Sequence, residues 1–253
     1  MYLFSWQYAR TSICNVSLLI ILPFTPLHKN GINEKKENRG GFRMFINRTD
    51  AAKQLEEKVK HLKEVTQPLV LAIPRGGLPI GAHIASFLGA PLDILLTKKI
   101  GAPFNPEFAI GAVTPDSYFV NVQYDNPDYQ QYIEQEVSKL QSLLKKRGEL
   151  YRQNKPAHNL TGKTIIIVDD GVATGRTLLA AVQSIKKQKP HRIIIVTPVI
   201  PPEAQQMLSE HVDEVISILI PNYLGAIGEF YQDFSPVSDD EAMKIFQAFG
   251  DHS

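Results

Sequence analysis

Residues 165–177, Ile-Ile-Ile-Val-Asp-Asp-Gly-Val-Ala-Thr-Gly-Arg-Thr, restrict the fold more than any other part of the chain. Four branched apolar residues, Ile165 to Val168, predict a short strand buried on both faces. Two carboxylates, Asp169 and Asp170, stand where that strand ends. A small polar loop, Gly171 to Thr177, then opens a helix beginning near Leu178. Strand, loop and helix in this order bring backbone N–H groups and the positive end of a helix to one point. That point suits an anion, above all a phosphate. The adjacent acids can accept hydrogen bonds from vicinal hydroxyls such as those of a ribose. Without such a ligand, the same residues would be a strand end with a solvated acid pair and a Thr-Gly turn.

Strands and helices alternate around that stretch. Thr49 or Asp50 is expected to cap a helix running to about Leu62, with Ala52, Leu55, Val59 and Leu62 as its buried stripe. Residues 68–73 predict the first core strand, which runs into Pro74-Arg75-Gly76-Gly77. Residues 79–88 predict a helix started by proline and stopped at Gly89. A second strand over 92–96 ends at Thr97-Lys98-Lys99. Residues 100–110, with Gly101, Pro103, Asn105 and Pro106, are expected to form a loop. A small hairpin follows over 108–112 and 118–122, then a long amphipathic helix over 129–152. Beyond the central stretch, 192–196 predicts a strand, 201–211 a helix and 215–220 the last core strand. The alternation predicts an α/β fold, a parallel sheet with helices on both faces. Residues 221–253 break the alternation and predict a small C-terminal hood, aromatic-rich at 230–235 and closed by a helix over 239–249.

Ligands bind such sheets beyond the carboxyl ends of the strands, which is where the candidate loops fall. In Pro74-Arg75-Gly76-Gly77 the glycines allow close backbone approach and Arg75 supplies a planar cationic fork for phosphate. Taken alone that turn would be an ordinary one with a surface arginine. Lys98 and Lys99 at a strand end would by themselves be a solvated tip. Glu107, the one acid in the 100–110 segment, is a candidate general acid or base. Tyr231 and Phe234 are candidates for stacking on a heterocycle, or else pack the hood onto the sheet.

Composition excludes several function classes. The net charge of +1 gives no bulk electrostatic case for nucleic acid or an anionic membrane. The single Cys14 excludes an internal disulfide framework and fits a reducing compartment, so a cytoplasmic location is expected. Val16 to Leu22 is apolar but Pro23 ends the run, far short of the roughly eighteen residues of a membrane span. Residues 29–43 are polar and rich in Gly, Asn and Lys. The expectation is therefore a domain over 44–253, with 1–43 a disordered extension or an over-long start. A secretory signal is the alternative for that segment.

Residues 165–177 resemble the phosphoribosyl pyrophosphate (PRPP) motif of the type I phosphoribosyltransferases: four apolar residues, two acids and a loop ending in Thr-Gly-x-Thr. Over 44–253 the chain resembles a group of bacterial members of unassigned substrate. The shared marks are Pro74-Arg75-Gly76-Gly77, Lys99-Ile100-Gly101-Ala102-Pro103 with Asn105-Pro106-Glu107, the PRPP motif and Tyr231 to Ser235. The resemblance implies that Asp169 and Asp170 hold the ribose hydroxyls. It implies that Val172, Ala173, Thr174, Gly175, Arg176 and Thr177 wrap the 5′-phosphate. It assigns pyrophosphate to Arg75, Gly76 and Gly77, in a loop that often carries a cis peptide in the family, and to Lys98 and Lys99 at the start of a mobile catalytic loop.

The implied activity is Mg²⁺-dependent transfer of phosphoribose to a small nitrogen acceptor, with release of pyrophosphate. The ion would be held through PRPP and water and not by a protein cluster. A homodimer is compatible with the resemblance. Family members acting on 6-oxopurines usually carry an Asp where this chain has Ala173, which argues against hypoxanthine or guanine; adenine-type enzymes carry Ala-Thr-Gly there. The alternative is a PRPP-sensing regulator without catalysis. Against it, the chain shows no helix-turn-helix extension and no basic face. A phosphate-ester ligand other than PRPP is the third reading.

Overall fold

A computed structural model describes residues 44–153 and 155–250; the expectations for 1–43 lie outside the described residues. In chain order the elements are α1 (Arg48–Val59), β1 (Pro68–Ala72), α2 (Gly77–Leu88), β2 (Leu92–Ile94), β3 (Lys98–Ala102), β4 (Asn105–Val113), β5 (Tyr118–Val120), α3 (Pro127–Arg152), β6 (Thr164–Val168), α4 (Arg176–Lys186), β7 (Arg192–Val199), α5 (Pro202–Ser209), β8 (Glu214–Leu219) and α6 (Asp239–Gly250). Five strands form a parallel sheet in the order β2-β1-β6-β7-β8, and β3, β4 and β5 form a second, antiparallel sheet. The α/β architecture is the one the alternation predicts.

Side-chain alternation on the central strands explains the two helical layers. Val70, Ala72, Ile166, Val168, Ile194 and Val196 face a core shared with α1, α2, α3 and α6. Leu69, Leu71, Ile165, Ile167, Ile193 and Ile195 face the other core, closed by α4 and α5. A strand buried on both sides has to be apolar throughout, which is why β6 is a continuous Ile/Val run. Each such buried side chain contributes roughly 1.5–3 kcal/mol relative to exposure. Among the described residues no helix is long and apolar enough to cross a membrane.

Register places the strand ends together. Ala72 pairs with Val168 and Val168 with Val196, so β1, β6 and β7 finish side by side. The chain leaves β1 toward β2 on one side, whereas β6 leads toward β7 and β8 on the other. Strand order therefore reverses between β1 and β6, and the crevice beyond their carboxyl ends is where such a sheet takes a ligand.

Two expectations are corrected. The cap of α1 is Asn47, not Thr49 or Asp50: the Asn47 side chain accepts from the Asp50 N–H at 3.0 Å, and Asp50 Oδ2 accepts from the Ile46 N–H at 3.0 Å. The Asn47 cap, braced by the Asp50 bond to the preceding residue, advances the helix start to Arg48. The second correction is larger. Residues 100–110 are not a loop but most of a β-hairpin, with β3 and β4 paired antiparallel. Their turn formers have positional uses inside the sheet. The register shifts on either side of Gly101, where a Cβ would lie 2.7 Å from Pro106 Cα, so this glycine sits at an irregularity that needs a bare backbone. Pro106 falls where the β3–β4 register jumps from Ala109 to Asn105, and β5 does not reach it, so it occupies no paired position in the ladder.

The C-terminal stretch divides. Residues 230–233 run beside residues 45–46, while α6 packs against α2, α3 and β2 as part of the sheet's helical layer.

Candidate active site

Two turns meet at the point where strand order reverses. The first is Pro74-Arg75-Gly76-Gly77 after β1, with a cis peptide bond between Pro74 and Arg75. The second is Asp169-Asp170 after β6. They touch directly: a Cβ on Gly76 would overlap Asp170 Oδ2, and one on Gly77 would lie 2.7 Å from the Val168 carbonyl oxygen. Both glycines are thus required by close approach of the two turns. The Asp170 N–H donates to Asp169 Oδ1 at 2.9 Å, and the Asp169 N–H donates to the Val196 carbonyl at 3.3 Å, so the pair is anchored to β7. Burial, and then the adjacent charge of Asp170, holds the Asp169 carboxyl well above the usual carboxylate range. Two neighbouring acids at a buried strand end cannot both ionise cheaply.

The loop from Gly171 to Gly175 delivers the chain to the start of α4. The Val172 N–H donates to the Val199 carbonyl at 2.9 Å and its side chain is buried, so Val172 anchors the loop rather than offering a donor. Ala173, Thr174, Arg176 and Thr177 are exposed on the rim. Gly175 has φ of 67°, and a Cβ there would lie 3.0 Å from Met207 Cε on α5. No side chain caps α4, which leaves the N–H groups of its first turn without intrahelical partners. Beside them stand two threonine hydroxyls. A helix start left uncapped in this way can take an anion such as a phosphate.

A residue that the sequence reading passed over completes the arrangement. Arg48, in the first turn of α1, places Nε 2.8 Å and Nη2 2.7 Å from Asp170 Oδ2. Its Nη1 donates to the Ser235 carbonyl at 2.9 Å, and its guanidinium carbon lies 4.0 Å from the centre of the Phe234 ring. The Arg48 and Asp170 side chains are only 12% and 15% exposed. The segment before α1 is laced to the C-terminal stretch alongside: Phe45 N–H to Phe230 O at 2.8 Å, Gln232 N–H to Phe45 O at 2.8 Å and Asp233 N–H to Ile46 O at 2.9 Å. The pattern Asn47-x-x-Asp50 could have put Arg48 in the first helical turn, but a partner 122 residues away leaves no local signal.

The other expected site residues are placed as follows. Tyr231 is 3% exposed, its ring lies between those of Phe45 and Phe234, and its hydroxyl donates to the Asp170 carbonyl at 2.7 Å. Burial, then the Asp170 charge, pushes its phenol above the usual range. Phe234 is flanked by Tyr231 and by the Arg48 guanidinium. Tyr231 therefore packs the C-terminal stretch onto the acid pair, and Phe234, half-buried, packs beside it.

Arg75 reaches toward α6, with Nη1 3.6 Å from Asp239 Oδ2, while Arg147 of α3 donates to Asp239 Oδ1 at 2.6 Å. Lys98 and Lys99 open β3, in the antiparallel sheet, a short connection past the end of edge strand β2. The backbone of Glu107 lies in β4, not in a loop. No group of three His, Cys, Asp or Glu converges as a metal site among the described residues.

Comparison with known proteins accounts for this geometry. Residues 43–233 match the model of the phosphoribosyl transferase domain. The chain belongs to this family. Two Mycobacterium tuberculosis relatives, each provisionally named a phosphoribosyl transferase, are 32% identical to it over 208 residues. The match takes in 79% of this chain but 46% of theirs, so the chain spans about half the length of these curated relatives. A crystal structure of a Thermus thermophilus protein aligns with a TM-score of 0.73 at 35% identity, covering 81% of this chain and 99% of that one. The phosphoribosyl transferase domain thus contains both β1 and β6 turns and the 230–233 stretch that overlies them.

Proposed function

We propose that this domain binds PRPP with Mg²⁺ and transfers its phosphoribose to a small nitrogen acceptor, releasing pyrophosphate. One observation carries the reading: the β1 turn and the Asp169–Asp170 turn pack against each other at the strand-order reversal, beside the uncapped start of α4. A sugar carrying phosphates at two ends matches that layout. The 5′-phosphate would lie on the first turn of α4 with Thr174 and Thr177. Asp169 and Asp170 would accept the ribose hydroxyls. The 74–77 turn, with Arg75, would meet the diphosphate.

In the reaction the acceptor nitrogen forms a bond to the ribose anomeric carbon and gives up its proton to the departing pyrophosphate or to solvent. The bond from that carbon to the diphosphate oxygen breaks, and its electron pair leaves with pyrophosphate. Negative charge grows on the leaving group and positive charge on the ribose. Arg75 would offset the first and the ionised member of the acid pair the second. The acids act as hydrogen-bond acceptors and charge, not as nucleophiles. The residues fit Mg²⁺ only as an ion brought in by the substrate. The close acid pair favours a nearby cation, and among the described residues no cluster of three protein ligands converges. Asp169 and Asp170 would then hold its waters, and the ion supplies charge neutralisation of the diphosphate.

The test is incubation of the full chain with PRPP, Mg²⁺ and pooled nucleobases and amines, reading pyrophosphate release alongside the PRPP-induced rise in Tm. Release with one acceptor supports transfer. A Tm rise without release with any acceptor assigns a PRPP-sensing role. No rise at millimolar PRPP rules out PRPP as the ligand.

A further inference from the structure

Asp170 is held from three sides before any ligand arrives. Arg48 takes its Oδ2 with two N–H groups, Tyr231 donates to its carbonyl, and Gly76 packs against its carboxylate. The Arg48 contact does most to define the carboxylate, because two charge-assisted N–H groups converge on one oxygen and fix where it lies. The same guanidinium reaches Ser235 and covers Phe234, so it joins three parts of the chain that are distant in sequence: the first turn of α1, the end of β6 and the 230–235 stretch.

That arrangement bears on how a polyanion could bind here. Two adjacent carboxylates repel a ligand carrying phosphates at both ends. A guanidinium locked onto one of them offsets that repulsion without touching the ligand. With Oδ2 engaged, Oδ1 of Asp170 is the oxygen left to accept from a hydroxyl. Lysine cannot replace this function: its ammonium is a point charge and cannot form the two-pronged contact, the bond to Ser235 and the stacking on Phe234 together.

We propose that Arg48 is a positioning residue of the PRPP site, fixing the Asp170 carboxylate for the ribose hydroxyls and tying the 230–235 stretch to ligand binding. This rests on the PRPP reading above and adds a residue and a linkage to it. Arg48 acts through Asp170 and the Ser235 segment and touches no reacting atom.

The experiment measures PRPP affinity by calorimetry in the presence of Mg²⁺. It uses the full chain, Arg48→Gln, Arg48→Lys, Asp170→Asn and the Arg48→Gln/Asp170→Asn double variant. Arg48→Gln is expected to weaken PRPP on the order of tenfold or more, as loss of a charge-assisted contact would. Arg48→Lys should keep the fold and recover only part of the affinity. In the Asp170→Asn background the Arg48 substitution should cost clearly less than in the wild type, because its carboxylate target is gone and only the Ser235 contact is left to lose. A merely structural role would lower the Tm of Arg48→Gln and leave PRPP affinity within about twofold of wild type. That result, or additive losses in the double variant, overturns the proposal. If Arg48→Gln does not fold, Arg48→Lys decides: unchanged affinity overturns the proposal, and a partial loss supports it. Wild-type protein that fails to bind PRPP overturns the functional reading, and this inference with it.

Discussion

Replacing Gly76 by alanine would add one methyl group where the β1 turn touches Asp170, and the structure has no room for it. A Cβ at Gly76 overlaps Asp170 Oδ2 and would lie 2.6 Å from Asp170 Cγ. The backbone at Gly76 is ordinary, with φ of −63° and ψ of −31°, so alanine carries no conformational penalty there. The cost is steric and falls on the carboxylate that Arg48 holds. Overpacking of this kind costs about 1–3 kcal/mol. At roughly 2–4 °C per kcal/mol for a domain of this size, Tm should fall by about 2–12 °C. The carboxylate must turn away or the 74–77 turn must lift, and either removes an element expected to hold PRPP. Affinity should therefore fall well beyond what stability alone explains.

Gly89→Ala is the matched control. Its φ is 63° and nothing lies within 4 Å of its Cβ, so alanine there costs roughly 1–2 kcal/mol of left-handed strain and no contact. Both variants should lose stability, but Gly76→Ala alone should lose ligand. Thermal unfolding with and without PRPP and Mg²⁺ reads both quantities. Equal PRPP-induced shifts in Gly76→Ala and Gly89→Ala would refute the argument that the two turns form one site.

Asp169→Asn should raise Tm at pH 7 while weakening PRPP. The folded-state pKa of Asp169 is raised, so its ionisation opposes folding once pH passes the unfolded value near about 4, and Asn removes that cost. A wild type at least as stable as the variant at pH 7 would refute this. Asp93→Asn should destabilise by roughly 3 kcal/mol at neutral pH, because it leaves buried Arg152 without its countercharge. Burial alone would raise the Asp93 carboxyl, but the His158 hydrogen bonds, the Arg152 charge and the Ile94 N–H outweigh it and hold it below the usual range. Its contribution is thus present above about pH 4 and lost as pH falls through the folded value, so denaturation of the two proteins should converge in acid. Ala173→Asp should not by itself create transfer to hypoxanthine, since acid–base geometry depends on everything that positions the acceptor and not on one carboxylate. Nucleotide formed from hypoxanthine in that variant would show Ala173 to be the sole barrier.

The sheet was legible because its strands are buried on both faces. A chain that must hide both sides of β1, β6 and β7 needs uninterrupted apolar runs, and the acids and glycines that end those runs mark the turns beyond them. Gly76, Gly77, Asp169, Asp170 and the Thr174–Thr177 rim could therefore be named from residue order alone. The β3–β4 hairpin could not be. Its glycine and prolines are loop signals locally, and only pairing with a neighbouring strand turns Gly101 into an irregularity in the ladder and Pro106 into an unpaired sheet position. Arg48 was hidden for a related reason. An N-terminal helix cap decides which way that side chain points, and the carboxylate it meets is brought there by strand order, 122 residues later. Tyr231 and Phe234 carry the same lesson. Aromatic composition cannot say whether a ring faces a ligand or a neighbour, and here Phe45, Arg48 and Asp170 take up their surfaces. Local chemistry thus determined which turns could bind a phosphorylated sugar. Which distant side chains surround those turns was decided only by tertiary packing, because contacts across more than a hundred residues leave no periodicity in the chain.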